Sequence, residues 1–220
     1  MSEARAAILG RVRSALADVP PGETPEDVPV ARAYLTTDPG PAGRIDRFAE
    51  RLAEYKAKVH RVEAVGLPAA IAAICEGREI RRLVLPADVP AGWVPSGLTA
   101  LRDDALSNDQ LNEGDGVLTG CALGIAQTGT IVLDCGRGQG RRALTLLPDY
   151  HLCVVFEDQV VGIVPEAVAA LEGIAKRPDR PMTWISGPSA TSDIELNRVE
   201  GVHGPRTLEV LIVRGGETAP

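Results

Sequence analysis

The segment from residue 44 to residue 86 alternates between helical and strand patterns, and this alternation constrains the fold more than any other feature. Apolar residues recur at helical spacing over residues 44–58, and a short strand pattern follows at residues 59–65. Pro68 opens a second helical segment, and residues 83–86 form a strand pattern that stops at its proline. Strands joined by helical crossovers pair in parallel. We therefore predict an α/β fold with a mostly parallel sheet flanked by helices.

The first 43 residues differ from the rest of the chain. Residues 4–17 place apolar side chains on one helical face, whereas residues 18–43 are rich in Pro and Gly, which is typical of a linker. We predict an N-terminal helix and linker over residues 1–43 and one α/β domain over residues 44–220. The sequence leaves open whether the first helix packs on a partner protein or on the edge of the same domain.

Composition and charge argue against several functional classes. The net charge is −7 over 220 residues, which argues against nucleic acid as the main partner, because phosphate neutralisation needs clustered Lys and Arg. No apolar run approaches the roughly 20 residues of a membrane span. The N-terminal segment also lacks the apolar core of a signal peptide. We therefore expect a cytoplasmic protein.

The four cysteines are dispersed, and none forms a Cys-x-x-Cys pair. This favours buried, inert thiols over a metal or redox site. The acidic residues between residues 103 and 115 have no calcium-loop spacing, which favours a solvated acidic surface over a divalent cation site. We expect no metal site and no intrinsic cofactor.

A loop dense in Gly, Pro, Ser and Thr follows the apolar run at residues 182–185. Exposed N–H groups and hydroxyls in such a loop suit an anionic ligand, although a tight turn with a capped helix has a similar composition. Glu195 and His203 can transfer protons near neutral pH, so they are the candidate catalytic residues. The candidate ligand-binding residues of this region are Gly187, Ser189, Thr191, Asp193 and Gly204.

A turn between two strand patterns supplies three further candidates, namely Thr128, Gly129 and Thr130. Small residues at such a position indicate a bend or a close approach of the backbone. His151 stands at the start of another buried strand pattern. A hydrogen-bonded core histidine is favoured there, and a role in ligand binding or proton transfer remains the alternative.

The glycine-rich segment at residues 136–140 follows a strand pattern and is a weak signal for phosphate binding. It lacks the full dinucleotide fingerprint, and no P-loop lysine follows it, so a mobile loop is the favoured interpretation. Arg141 and Arg142 stand directly behind the segment. Either guanidinium can clamp a carboxylate or a phosphate, and we include both among the candidate ligand-binding residues.

Several blocks in the second half of the chain resemble the LUD-domain family. They cover residues 116–213 in the family's order. The blocks are Thr119-Gly120, residues 125–131, Leu146-Leu147-Pro148 with His151, Gly187-Pro188-Ser189 with Thr191, Asp193-Ile194-Glu195, and residues 201–205. One departure is Gln127, where the family usually has Glu. Any acid–base step that this carboxylate performs in relatives is therefore absent here or uses another group.

The resemblance implies a fold similar to the glucosamine-phosphate isomerase, ribose-phosphate isomerase and CoA-transferase group. It also implies a role in a three-component system that oxidises L-lactate to pyruvate, with the iron–sulfur clusters in the other two components. This chain has no cysteine cluster of iron–sulfur spacing. We therefore expect an accessory subunit that binds iron–sulfur partner proteins and a small carboxylate or phosphate ligand.

Two other functions stay open. The first is a free-standing enzyme of the isomerase or CoA-transferase type, which acts on a sugar phosphate or an acyl-CoA. In that case Glu195 is the general base and His203 its proton partner, and the loop around Ser189 and Thr191 holds phosphate. The second is a regulatory sensor that binds a ligand without turnover.

Overall fold

The computed structural model describes residues 3–20, 22–27, 30–31, 33–177, 180–191, 199–201 and 203–215. The chain divides into two compact units, Met1–Leu35 and Thr36–Pro220. The first unit contains helix α1 (Glu3–Ala15) and a 3₁₀ turn at Pro25–Asp27, and no described α1 residue is buried. The domain boundary after residue 43 stays a prediction. No described helix is both long enough and apolar enough to span a bilayer.

The second unit contains four helices and twelve short strands in its described part. The helices are α2 (Arg44–Glu54), α3 (Leu67–Gly77), α4 (Asn108–Asn112) and α5 (Val164–Ala175). The strands are β1 (Lys58–Glu63), β2 (Arg82–Pro86), β3 (Thr99–Asp103), β4 (Gly116–Thr119), β5 (Leu123–Ile125), β6 (Thr130–Leu133), β7 (Tyr150–Phe156), β8 (Val160–Val161), β9 (Thr183–Ile185), β10 (Ala190–Thr191), β11 (Val199–Glu200) and β12 (Thr207–Arg214).

Six of these strands form a parallel sheet in the order β1-β12-β7-β4-β2-β3. The predicted α/β fold with a mostly parallel sheet is therefore confirmed. Every residue of β7 is buried, as expected for a central parallel strand with both faces covered. Leu152 and Val154 pack with α3 on one face, whereas Cys153 and Val155 pack on the opposite face. This alternation is the two-residue period of a strand.

A second sheet, with the order β8-β5-β6-β9, packs against the Cys153 face of the main sheet. Its other face is covered by α5, through Ala167 and Leu171. Helix α2 packs beside it through Phe48 and Leu52. Two of its three pairings are antiparallel. The strand patterns in the sequence do not predict this sheet, because its strands are only two to four residues long and two of its three pairings join strands that are far apart in the sequence.

Carboxylates of the acidic segment between residues 103 and 115 make contacts within the fold. Asp103 binds Arg141, and Asp115 accepts hydrogen bonds from the backbone N–H groups of Arg81 and Arg82. Ser107 and Gln110 form a capping box at the start of α4. No group of three or more His, Cys, Asp or Glu within the described ranges could hold a metal ion.

Candidate functional site

A cavity of about 250 Å³ opens at the amino ends of β7 and β12, beside β9 and the loop that follows it. We call it the histidine cavity. Its polar wall is formed by one arginine, two histidines and four hydroxyl side chains. These residues are Arg142, Thr145, His151, Thr183, Ser186, Ser189 and His203. No carboxylate lines the cavity among the described residues. The wall is therefore suited to an anion.

The parallel pairing of β7 with β12 brings the parts of this wall together. Residue His151 in β7 pairs with Leu208 in β12, so the segments that precede both strands meet at the same edge. A 3₁₀ turn at Arg142–Thr145 precedes β7, and the loop with His203 precedes β12. The loop with Ser186 and Ser189 follows β9.

Arg142 is held in the cavity wall without a carboxylate partner in the part of the chain that the structure describes. Its Nη1 donates hydrogen bonds to the carbonyl and hydroxyl oxygens of Thr145, each at 3.0 Å. Burial lowers the pKa of Arg142, and the nearby Cys135 opposes this effect. A partly buried cation without a counter-ion is stabilised by a bound anion.

The neighbouring Arg141 makes a different set of contacts. Its Nε and Nη2 donate to the two carboxylate oxygens of Asp103, at 2.8 and 3.0 Å, and Nη2 also donates to the carbonyl oxygen of Leu106. The hydrogen bonds to Asp103 raise the pKa of Arg141. Arg141 does not line the histidine cavity, so of the two candidate clamps only Arg142 faces it.

His151 is buried, yet its ring lines the histidine cavity. Its Nε2 lies 2.8 Å from Oγ1 of Thr119, which is also buried. The structure therefore combines the two interpretations of this residue, because His151 is a hydrogen-bonded core side chain that also reaches a cavity. The hydroxyl of Thr119 lies 3.9 Å from Sγ of Cys153 and so extends the polar contacts into the core.

Ser189 joins the two loops that the sequence singled out. Its N–H donates to the carbonyl oxygen of Pro205, and its own carbonyl oxygen accepts from the N–H of Gly201, both at 2.9 Å. The backbone N–H of His203 donates to Ser189 Oγ at 3.1 Å. Gly204 lies against Ser189, where an added Cβ would be 3.6 Å from the serine Cβ. The side chain of Ser189 thus positions the exposed His203 at the cavity.

The turn formed by Thr128, Gly129 and Thr130 does not line the cavity but supports its wall. The hydroxyls of Thr128 and Thr130 lie 2.7 Å apart, and that of Thr130 lies 2.8 Å from Ser186 Oγ. Gly129 has φ +60°, and an added Cβ would lie 2.7 Å from the backbone of α2. Gly187 has φ +93°, and a Cβ added at this position would clash with the carbonyl oxygen of Tyr55.

The remaining candidates of the loop are Thr191, Asp193 and Glu195. Asp193 and Glu195 lie outside the described residues, so their predicted roles stay predictions. Thr191 belongs to β10, whose backbone pairs with Val199 in β11. His203, Ser189, Gly187 and Gly204 are brought together in the cavity wall.

Three polar cavity residues, namely Thr145, Thr183 and Ser186, were absent from the sequence-based candidates, and His151 was considered only as an alternative to a core histidine. Ser186 directly precedes Gly187, so the composition of that loop could have included it. His151 and Thr145 lie in or before an apolar strand, where the sequence pattern indicates core. Their exposure to a cavity depends on how β9 and its loop pack over the sheet.

The glycine-rich segment at residues 136–140 is held by hydrogen bonds on both sides. Asp134 accepts from the N–H of Gly136, and Asp88 accepts from the N–H of Gly138. The carbonyl oxygen of Gly138 accepts from Gly120. These contacts place the segment beside a second, smaller cavity of about 70 Å³ at the carboxyl ends of β4 and β7. We call it the carboxyl-edge cavity; it is lined by Asp88, Trp93, Cys121, Arg137, Phe156 and Gln159, among others.

Comparison with known proteins places this fold and site in a family. A Lactate utilization protein C from Deinococcus radiodurans is 46% identical over 216 residues, which cover 96% of each chain. A Lactate utilization protein C from Bacillus pumilus is 38% identical over 92 residues, which cover 40% of this chain and 38% of that protein. The crystal structure of a DUF162 family protein from Deinococcus radiodurans has a TM-score of 0.68 and 43% identity. The match covers 84% of this chain and 99% of the chain in that crystal structure.

The family model of the LUD domain matches residues 45–213. This range includes the main sheet except Arg214, the second sheet and the lining of both cavities. The residues of the histidine cavity all fall within it. Because the LUD domain model matches most of its length, the chain belongs to the LUD domain family.

Proposed function

We propose that this protein serves in L-lactate utilization as a subunit that binds a small carboxylate in the histidine cavity. The iron–sulfur proteins of the same system would transfer the electrons as L-lactate is oxidised to pyruvate. The similarity to Lactate utilization protein C over 96% of both chains supports the pathway. The observation that carries the ligand class is Arg142, a partly buried guanidinium that lines the cavity without a carboxylate partner among the described residues.

The wall of the cavity has the groups that a 2-hydroxy or 2-oxo acid needs. Arg142 keeps donors of its planar guanidinium for a ligand carboxylate, because only Nη1 is used by Thr145. His151, His203 and Ser186 can bond to the hydroxyl or keto oxygen at the second carbon. The volume of about 250 Å³ is below the usual range for drug-sized ligands, which favours a small acid.

The experiment is calorimetric titration of the purified chain with L-lactate, pyruvate and inorganic phosphate. Arg142→Met should weaken binding of the preferred anion by about 10-fold to 150-fold, the equivalent of the 1.5–3 kcal/mol of a charge-assisted hydrogen bond. Arg141→Met is the matched control, because Arg141 is bound to Asp103 outside the cavity. It should leave the affinity nearly unchanged. Equal affinities for wild type and Arg142→Met would overturn the proposed ligand site.

The accessory role is tested separately from the ligand site. The isolated chain should not oxidise L-lactate with an artificial electron acceptor, whereas it should co-purify with iron–sulfur proteins when expressed with its neighbouring genes. Robust lactate oxidation by the isolated, metal-free chain would contradict the accessory role. Turnover of a sugar phosphate or an acyl-CoA that Glu195→Gln abolishes, with an unchanged melting temperature, would favour the free-standing enzyme instead.

A further inference from the structure

His151 is a buried side chain with one ring nitrogen that no described residue binds. The residue is 1% exposed, and its ring lines the histidine cavity. Nε2 lies 2.8 Å from Oγ1 of Thr119, whereas Nδ1 has no hydrogen bond to the part of the chain that the structure describes. Buried polar groups in folded proteins are nearly always hydrogen-bonded. Nδ1 is therefore the ring nitrogen that remains for a ligand of the cavity.

The hydroxyl of Thr119 sets which ring nitrogen carries the proton. Thr119 is fully buried, so its O–H proton needs an acceptor inside the core. Within the described ranges this hydroxyl reaches two acceptors, which are Nε2 of His151 at 2.8 Å and Sγ of Cys153 at 3.9 Å. Sulfur is a weak acceptor, and the shorter distance is that of an ordinary hydrogen bond. Thr119 thus donates to Nε2, and the ring proton of the neutral imidazole is on Nδ1.

Two other groups of the cavity wall also present donors. Nη1 of Arg142 binds Thr145, but Nε and Nη2 of this arginine have no acceptor among the described residues. Oγ of Ser189 accepts from the N–H of His203, which leaves the hydroxyl proton of Ser189 without an acceptor in the same part of the chain. Together with Nδ1–H of His151, these groups suit ligand oxygens that only accept hydrogen bonds.

A 2-oxo acid and a 2-hydroxy acid differ at the oxygen on the second carbon. The keto oxygen only accepts, so Nδ1–H of His151 and the guanidinium of Arg142 match the keto and carboxylate oxygens of a 2-oxo acid. The hydroxyl of a 2-hydroxy acid can accept from Nδ1–H, but its own proton then needs an acceptor. Three of the four wall hydroxyls, those of Thr145, Ser186 and Ser189, are already hydrogen-bonded within the protein. A 2-hydroxy acid must therefore compete with these bonds.

We propose that His151 is the specificity-determining residue of the histidine cavity, and that its Nδ1–H, fixed by Thr119, selects a 2-oxo acid such as pyruvate over the corresponding 2-hydroxy acid. Thr119 is a positioning residue, because it acts through His151. The inference rests on the proposed function, since it needs a small carboxylate in this cavity. It makes the product of lactate oxidation, rather than its substrate, the preferred ligand of the subunit.

The first experiment is calorimetric titration of the full-length protein with pyruvate and with L-lactate, in the wild type and in two Thr119 variants. The wild type should bind pyruvate at least about 5-fold more tightly, the effect of one unsatisfied buried hydroxyl. Thr119→Val leaves Nε2 without a donor, so either ring nitrogen can carry the proton and the ratio of the two affinities should fall towards 1. Thr119→Ser keeps the hydroxyl and should keep the ratio. Because each ratio is taken within one variant, a loss of stability that weakens both acids equally does not change it.

Nitrogen NMR of the histidine rings tests the proton position without a ligand. The chain has three histidines, so His60→Gln combined with His203→Gln leaves His151 as the remaining one. Its Nδ1 should carry the proton and its Nε2 should not. The two single variants assign the same signals in the wild-type spectrum, so the measurement does not depend on the folding of the double variant.

The outcomes separate this inference from the proposed function. Equal or tighter binding of L-lactate, the same affinity ratio in Thr119→Val as in the wild type, or a His151 ring protonated on Nε2 alone would overturn the inference and leave the small-carboxylate site in place. Binding of neither acid by the wild type would overturn the proposed ligand site together with it.

Discussion

Nε2 of His151 lies 2.8 Å from Oγ1 of Thr119, and this contact joins the neighbouring strands β7 and β4 inside the core. Replacement of Thr119 by Val keeps the shape of the side chain but removes the hydroxyl. A ring nitrogen of the buried imidazole then loses its partner, which costs about 1–3 kcal/mol. We expect Thr119→Val to lower the free energy of unfolding in urea by this amount. Thr119→Ser, which loses only a buried methyl group, should be more stable than Thr119→Val. Equal stability of wild type and Thr119→Val would contradict the prediction.

Glu209 is the centre of a second buried polar cluster, at the amino end of β12. Its carboxylate accepts hydrogen bonds from Arg78 Nε at 2.6 Å and from Tyr150 at 3.2 Å, and it lies 2.5 Å from His60 Nε2. Arg78 also stacks over the Tyr150 ring, 4.5 Å from its centroid. Glu209→Gln leaves Arg78 without its counter-ion, so we expect unfolding free energy to fall by about 3 kcal/mol. The control is Glu63→Gln, at an exposed pair 3.9 Å from Arg214, which should change stability by less than about 0.5 kcal/mol.

The same carboxylate makes stability depend on pH in the acidic range. Burial alone would raise the pKa of Glu209, but the hydrogen bonds from His60 and Arg78 outweigh it and lower this pKa. A lowered pKa in the folded state stabilises the protein above the unfolded carboxyl pKa of about 4.3, and this stabilisation is lost as pH falls through the folded value. The stability difference between wild type and Glu209→Gln should therefore be constant at pH 5–6 and shrink below about pH 4.3. A difference that grows on acidification would contradict this sign.

Replacement of Gly129 tests whether the turn at residues 128–130 supports the cavity wall. Its φ is +60°, and a Cβ at this position would lie 2.7 Å from Arg51 and from the backbone nitrogen of Leu52. Gly129→Ala should therefore displace α2 and cost more than the roughly 1–2 kcal/mol of the left-handed conformation alone. Gly138→Ala is the matched control, because φ is +69° there but no atom lies within 4 Å of the added carbon. Thermal unfolding should show the larger loss for Gly129→Ala, and equal losses would contradict the steric argument.

The amino-acid pattern by itself determined the class of the fold. Alternation of helical and strand segments before residue 86 predicts parallel pairing, and the continuous apolar run of β7 predicts a strand covered on both faces. These features are local and follow from the period of the apolar residues. The loop composition around Ser189 and His203 likewise identified one wall of the histidine cavity.

Tertiary structure decided which of the candidate residues share a cavity. Arg141 and Arg142 are adjacent and identical in type, but Asp103 on β3 binds one guanidinium, whereas the other faces the cavity without a carboxylate among the described residues. His151 reaches the cavity only because β9 and its loop pack beside the main sheet. The second sheet also joins residues that are far apart in the sequence. These contacts form by packing across the core, so the local spacing of apolar residues in the sequence does not predict them.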